Sequence, residues 1–150
     1  MNQLNCLPQD AVLWGENTLG LALPRLEGYG IERPIVFTVE PLEALARTHV
    51  EPHLKDVAGC FTGLPAHVPD VAVHAALDAC LRSDARAIVG LGGGSVLDAA
   101  KAVSHLHHKR TGRHLPIVAL PTTLSGSEFS HYFGITETDG PQKFLSLIHI

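Results

Sequence analysis

The sequence predicts a doubly wound α/β domain, a mostly parallel sheet with helices on both faces. Three observations carry this. Short apolar runs alternate with helix-period stretches at least three times along the chain. One run, residues 87–91, is followed at once by Gly92-Gly93-Gly94 and then by a helical pattern, giving the order strand, glycine turn, helix. Another buried-type run, residues 115–120, leads into a loop of small polar residues, 121–128. In such sheets ligands bind off the carboxyl ends of the strands, so the two loops are expected to line one crevice.

Taken in order, residues 11–14 (Ala-Val-Leu-Trp) read as a short first strand stopped by Gly15. Residues 19–26 are apolar around Pro24, so a helix there is short or begins at the proline. Gly28-Tyr29-Gly30 marks a turn. Residues 34–39 predict a strand, with β-branched side chains and proline only at its start. Leu42, Leu45, Ala46 and Val50 form the apolar stripe of a helix over residues 41–54, limited by Pro52. Residues 57–61 predict a third strand. Asp70 is placed to cap a helix carrying Val71, Val73, Ala76, Leu77, Cys80 and Leu81. After the small-residue loop, residues 133–136 predict a strand, and Asp139-Gly140 a turn into a hairpin through Lys143.

The glycine turn has a physical meaning and a plain alternative. Glycines permit positive φ and leave no Cβ in the way of a ligand. The following helix aims its free N–H groups and positive dipole end back at the turn, where a phosphate fits. Ser95 and Asp98 also have the spacing of a capping box, and Asp98 can pair with Lys101 one turn on. A capped helix after a glycine turn needs no ligand. The spacing is neither the generic dinucleotide fingerprint nor a Walker A loop.

Composition narrows the classes. The 150 residues are 45% hydrophobic and 17% charged, enough for a core and unlike a disordered chain. A formal net charge of −4 argues against a nucleic-acid surface. No apolar run approaches the ~20 residues that span a bilayer, and the N-terminus has neither a basic start nor an apolar signal core. A cytoplasmic protein without a membrane partner is expected. Cys6, Cys60 and Cys80 make no C-x-x-C pair and read as buried or half-buried free thiols. Of ten histidines, His105, His107, His108 and His114 gather near Lys109, Arg110 and Arg113. No carboxylate lies among them, so a solvated helix C-terminus is favoured over a metal site.

Gly92-Gly93-Gly94-Ser95-x-x-Asp98-x-x-Lys101, then Pro121-Thr122-Thr123, then Ser125-Gly126-Ser127-Glu128, resembles the iron-containing (group III) alcohol dehydrogenases in order and spacing. The resemblance runs to about Lys143 and corresponds to the family's N-terminal nucleotide-binding domain, with the fold of the dehydroquinate synthase-like proteins. Residues 119–129 and 132–137 are most similar to the maleylacetate reductase branch, whose members reduce maleylacetate to 3-oxoadipate with a nicotinamide cofactor.

This resemblance implies an NAD(P)-dependent oxidoreductase that moves a hydride between NAD or NADP and a small alcohol or carbonyl substrate. Gly93, Gly94 and Ser95 would contact the pyrophosphate, with Gly92 shaping the turn. Thr122, Thr123 and Ser125 would line the adenosine and ribose side, and Asp98 would brace the loop while capping the helix. At the end of the second strand Glu40 is the acid available for a ribose 2′-hydroxyl; an acid at position 39 fits the pattern better, which leaves NAD versus NADP open. The family's metal ligands, one aspartate and three histidines, belong to a helical C-terminal domain, so iron or another divalent metal is expected of the full-length enzyme and not of these ten histidines. No catalytic residue is assigned. A homodimer is in keeping with the family. The expected division is residues 1–144 as the dinucleotide-binding part of a two-domain enzyme, inactive by itself, and 145–150 as a non-native tail that breaks the family pattern. The competing reading is a non-catalytic nucleotide-binding module.

Overall fold

The computed structural model describes residues 9–138. Four strands form one parallel sheet: β1 (Pro34–Phe37), β2 (Gly59–Phe61), β3 (Ala87–Gly92) and β4 (Ile117–Pro121), in the order β2-β1-β3-β4. Register is continuous across the centre, with Ile35 opposite both Gly59 and Ile88, and Ile88 opposite Ile117. β1 and β3 are buried along their whole length. That accounts for their unbroken apolar sequence, since strands covered on both faces show no alternation.

Each face has its own core. Ile35, Phe37 and Ile88 point to one side and pack with Val73, Ala76, Leu77, Val96, Ala99, Ala100 and Val103. Those residues come from α3 (Asp70–Arg82) and α4 (Gly94–Thr111). Val36, Val89 and Leu91 point to the other side and pack with Leu23, Ala46 and Val50. The period-2 alternation of a strand thus sorts neighbouring residues onto opposite helical layers, and the doubly wound expectation holds.

The second layer departs from expectation in detail. The chain winds from α1 (Thr18–Ala22) into a 3-10 segment, Leu23–Tyr29, that ends at Gly30 with φ 74°. The helix expected over residues 41–54 is four short windings: 3-10 at Glu40–Leu42, α2 (Glu43–Leu45), a π-helical turn at Ala46–Val50, and 3-10 again at Glu51–His53. Pro41 and Pro52 lack N–H donors and prevent one regular ladder. The widened turn lets Ala46 and Val50 both reach the core.

Three further expectations are corrected. Residues 11–14 are not a strand; among the described residues no neighbouring strand offers them a ladder, and Trp14 is 85% exposed. Residues 133–136 form no strand; Ile135 and Thr136 are bridge residues only, Thr136 pairing with Pro69 and its N–H donating to the Val68 carbonyl at 3.0 Å. Asp70 is the first helical residue of α3, not its cap; the cap position is Pro69, and Asp70 Oδ1 accepts from the Val71 N–H at 2.8 Å and from Thr138. The expected turn at Asp139-Gly140, its hairpin, and the tail from 145 lie outside the described residues.

Candidate functional site

The strand order fixes where a site can form. The chain goes from β1 outward to β2, then returns to place β3 on β1's other side. Between β1 and β3 the winding direction reverses, and the loops leaving the two strands diverge to opposite faces. That topological switch point is where open α/β sheets bind ligands. The loop leaving β3 is the glycine turn.

The two expected loops do meet. The Thr122 N–H donates to the Gly92 carbonyl at 2.9 Å, extending the β3–β4 ladder by one bond. Beyond it the walls come together side by side. A Cβ built on Gly93 would lie 3.2 Å from the Thr123 side chain, and one on Gly94 would lie 3.1 Å from Ser125 Cβ. Thr122, Thr123 and Ser125 are exposed, and Gly93, Gly94 and Ser95 are half-buried. Gly92 differs from its neighbours: a Cβ there would be 2.5 Å from Val96 Cγ2 and 2.9 Å from Val96 Cβ. Its glycine is required by helix packing, while those at 93 and 94 set the gap between the loops.

The capping box does not form. The N-cap of α4 is Gly93, with no side-chain cap bond, and Ser95 lies inside the first turn. The N–H groups of Val96 and Leu97 both reach the Gly93 carbonyl, at 3.0 and 3.3 Å. Gly94 and Ser95, ahead of them, carry N–H groups that no intrahelical carbonyl can satisfy. Asp98 turns away from the helix end. Its Oδ1 accepts from Ser127 Oγ at 2.6 Å and pairs with Lys101 Nζ at 2.9 Å, and its Oδ2 accepts from the Gly134 N–H at 3.4 Å. Asp98 thus braces the loop and does not cap the helix, because Ser127 across the crevice and Lys101 one turn on are stronger donors than the N–H groups of the helix end.

Lys101 is the residue that sequence reasoning undervalued. It is 5% exposed. Besides Asp98 its ammonium donates to Ser127 Oγ at 2.8 Å, to the carbonyls of Ser127 at 3.1 Å and Ser130 at 3.3 Å, and to that of Tyr132. The available signal was its position: it stands between Ala100 and Ala102, four residues after the buried Leu97, on the inward face of the helix.

Glu40 begins the 3-10 turn after β1 and is exposed, and Val39 makes an antiparallel bridge with Gly63. Across the switch point, Thr38 Oγ1 donates to the Leu91 carbonyl at 2.9 Å. A hollow of ≈ 190 Å³ opens elsewhere, among Leu23, Leu26, Ile31, Pro34 and Leu54. It adjoins the start of β1, at the opposite end of the sheet from the glycine turn.

The histidines end α4 without converging on one point. His108 and His114 stack with ring centroids 4.0 Å apart, and His107 Nδ1 bonds the Arg113 carbonyl at 2.7 Å. Burial holds His114 below its usual value, helped by the nearby charge of His108 and opposed by a backbone hydrogen bond at Ser104. His105 is lowered by burial first and then by Lys109, His114 and His108. Among the described residues no group of three or more His, Cys, Asp or Glu side chains is placed to hold a metal ion. Cys60 and Cys80 are free thiols. Burial, with Glu51 and Glu43, pushes Cys60 to about 11, and burial pushes Cys80 to about 12. Cys6 lies outside the described residues. No helix among them is long and apolar enough to cross a membrane.

Comparison with known proteins agrees with this geometry. The family model described as iron-containing alcohol dehydrogenase matches residues 9–149. A maleylacetate reductase of Pseudomonas knackmussii is 36% identical over 137 residues, covering 91% of this chain and 37% of that protein. The crystal structure of an iron-containing alcohol dehydrogenase from Corynebacterium glutamicum superposes with a TM-score of 0.81 at 27% identity, over 97% of this chain and 39% of that one. A sulfoacetaldehyde reductase from Bifidobacterium kashiwanohense, solved in complex with NAD+, shares the fold at 22% identity, with a TM-score of 0.81 over 97% of this chain and 43% of that one. The chain therefore spans about two fifths of these proteins. With a glycine turn at the switch point, a small-residue loop beside it and a family match over nearly all its length, the chain belongs to the iron-containing alcohol dehydrogenase family.

Proposed function

We propose that this chain is the dinucleotide-binding part of an NAD(P)-dependent oxidoreductase. One observation carries the reading: at the switch point, Gly93 and Gly94 face Thr123 and Ser125 across a gap with little room for added Cβ atoms. The free N–H groups at the head of α4 open into the same place. A pyrophosphate would lie over this close approach, against the N–H groups at the head of α4, with Gly93, Gly94 and Ser95 on one side of it and Thr122, Thr123 and Ser125 on the other. Gly92 and Asp98 act behind them, by shaping the turn and bracing the loop. When bound, the nicotinamide supplies or accepts the hydride.

The substrate proposed is a small alcohol or carbonyl compound, and within that class the relatives named maleylacetate reductase favour maleylacetate. Among the described residues no group of side chains is placed to hold a metal ion. Two unpaired thiols suit a reducing, cytoplasmic setting. The half-exposed outer edge of β4 and the exposed Val12, Leu13 and Trp14 support a homodimer, tested by sedimentation.

Fluorescence titration with NADH and NADPH tests the reading, together with turnover of maleylacetate and simple alcohols. Saturable binding of either cofactor is expected. Binding of neither overturns the nucleotide reading. Binding without turnover of any substrate, by the longest form of the protein, favours a non-catalytic module.

A further inference from the structure

We propose that Lys101 is a positioning residue, which holds the second wall of the crevice at its working distance from the glycine turn. The inference rests on the nucleotide reading above and names a residue that this reading leaves out.

A lysine on a helix ordinarily carries its charge out to water along its alkyl stem. Lys101 does the reverse. Its ammonium has five oxygens in reach: Asp98 Oδ1, Ser127 Oγ, and the carbonyls of Ser127, Ser130 and Tyr132. An ammonium has three protons, so this is a cation in an oxygen cage, with bonds that are charge-assisted. Four of the five oxygens belong to the single loop segment 127–132. The loop is wrapped on the charge, and the charge is carried by a helix locked into the core through Leu97, Ala100 and Val103.

The constraint passes to the crevice by one route. Ser127 Oγ donates to Asp98 while accepting from Lys101, so its hydroxyl is oriented from both sides. The Ser127 N–H donates to Ser125 Oγ at 3.2 Å. Ser125 faces Gly94. Lys101 thus sets Ser127, Ser127 sets Ser125, and Ser125 sets the gap over Gly94. Without the ammonium three carbonyls and the Asp98 carboxylate lose their common partner, and the Ser127–Asp98 hydrogen bond is left to tie the wall to α4 in that route.

The test compares Lys101→Met, which keeps the stem and removes the charge, with Lys101→Arg, which restores a cation. Amide hydrogen exchange reports the loop, and NADH and NADPH titration reports the crevice. In Lys101→Met, exchange over residues 125–132 is expected to quicken by about tenfold or more, with β1 and β3 unchanged, and cofactor affinity to fall by about tenfold or more. Lys101→Arg is expected to recover most of both. Wild-type affinity in Lys101→Met overturns the proposal, as does faster exchange throughout the sheet with no recovery in Lys101→Arg. If the wild-type chain binds neither nucleotide, the nucleotide reading fails separately, and unchanged loop exchange in Lys101→Met still overturns the positioning role. Should Lys101→Met fail to fold, Ser127→Ala cuts the same route without removing the charge; it must then weaken cofactor binding, and wild-type affinity there counts against the proposal.

Discussion

Thr38 Oγ1 donates a hydrogen bond to the backbone carbonyl of Leu91, joining the ends of β1 and β3 at the point where the sheet reverses its winding. Thr38 is 0% exposed. β1 stops at Phe37, so the hydroxyl serves the Leu91 carbonyl where the ladder has no further rung. Replacing Thr38 by the isosteric valine strands that carbonyl in a dry interior. Thr38→Val is expected to lose about 1–3 kcal/mol, read as a lower urea midpoint with unchanged slope. A midpoint equal to wild type would mean that the bond is idle.

Gly92 and Gly94 separate fold from site. Gly92→Ala drives a Cβ into Val96, whose own Cβ cannot swing away, and is expected to cost about 1–3 kcal/mol. Combined with Val96→Ala, the loss should fall short of the sum of the single changes, since the pair is in contact. Gly94→Val meets Ser125 on an exposed loop that can yield. It is expected to destabilise less than Gly92→Ala but to reduce NADH affinity by about tenfold or more. The ratio of the binding loss to the stability loss distinguishes the two positions.

Acid should weaken the C-terminal end of α4. His114 titrates below its ordinary value of 6.5, because burial disfavours its charged form and His108 stacks against it. The unfolded chain then binds more protons than the folded one just below that pH. Stability is whole above about 6.5 and declines as pH falls through the lowered folded value. Urea midpoints between pH 7.5 and 5 should show this slope, and His114→Gln should flatten it. An equal slope in the variant would assign the acid loss to other groups.

The thiols should be quiet. With Cys60 raised to about 11 and Cys80 to about 12, almost no thiolate exists at neutral pH. Iodoacetamide followed by peptide mass spectrometry should label both far more slowly in the native chain than in urea. Fast native labelling at Cys60 would show that burial, with its acidic neighbours Glu51 and Glu43, does not hold it protonated.

What was legible in the sequence was whatever short-range pattern decides. Residues 34–39 and 87–91 read as strands because both faces of β1 and β3 are covered and every position had to be apolar. The meeting of the glycine turn with residues 122–127 followed from both leaving the carboxyl ends of neighbouring strands. The failures share a cause. Asp98 looked like a capping partner, yet it is claimed by Ser127, which lies 29 residues away. Residues 11–14 have a strand's composition but, among the described residues, pair with no strand. From the sequence Lys101 is only a possible partner for Asp98, because its four other oxygens come from a loop that sequence spacing cannot bring back to it. Prolines at 41 and 52 were visible, but how the chain would wind between them was decided by the need to bury Ala46 and Val50.

The strand order also sets a timetable for folding. Ile35 pairs with Gly59 on one side and with Ile88 on the other. Synthesis from the N-terminus delivers the first partner early and the second far later, and the bond that closes the centre joins residues 53 apart. Closing so long a loop comes before its reward, which slows the step that joins β3 to β1. During that wait the nascent β1–β2 ribbon presents Ile35, Val36 and Phe37 along an open edge, the kind that recruits strands from other molecules. The exposure of the β1 edge is therefore concentrated between the emergence of β2 and the arrival of β3, and it ends when Leu91 reaches Thr38.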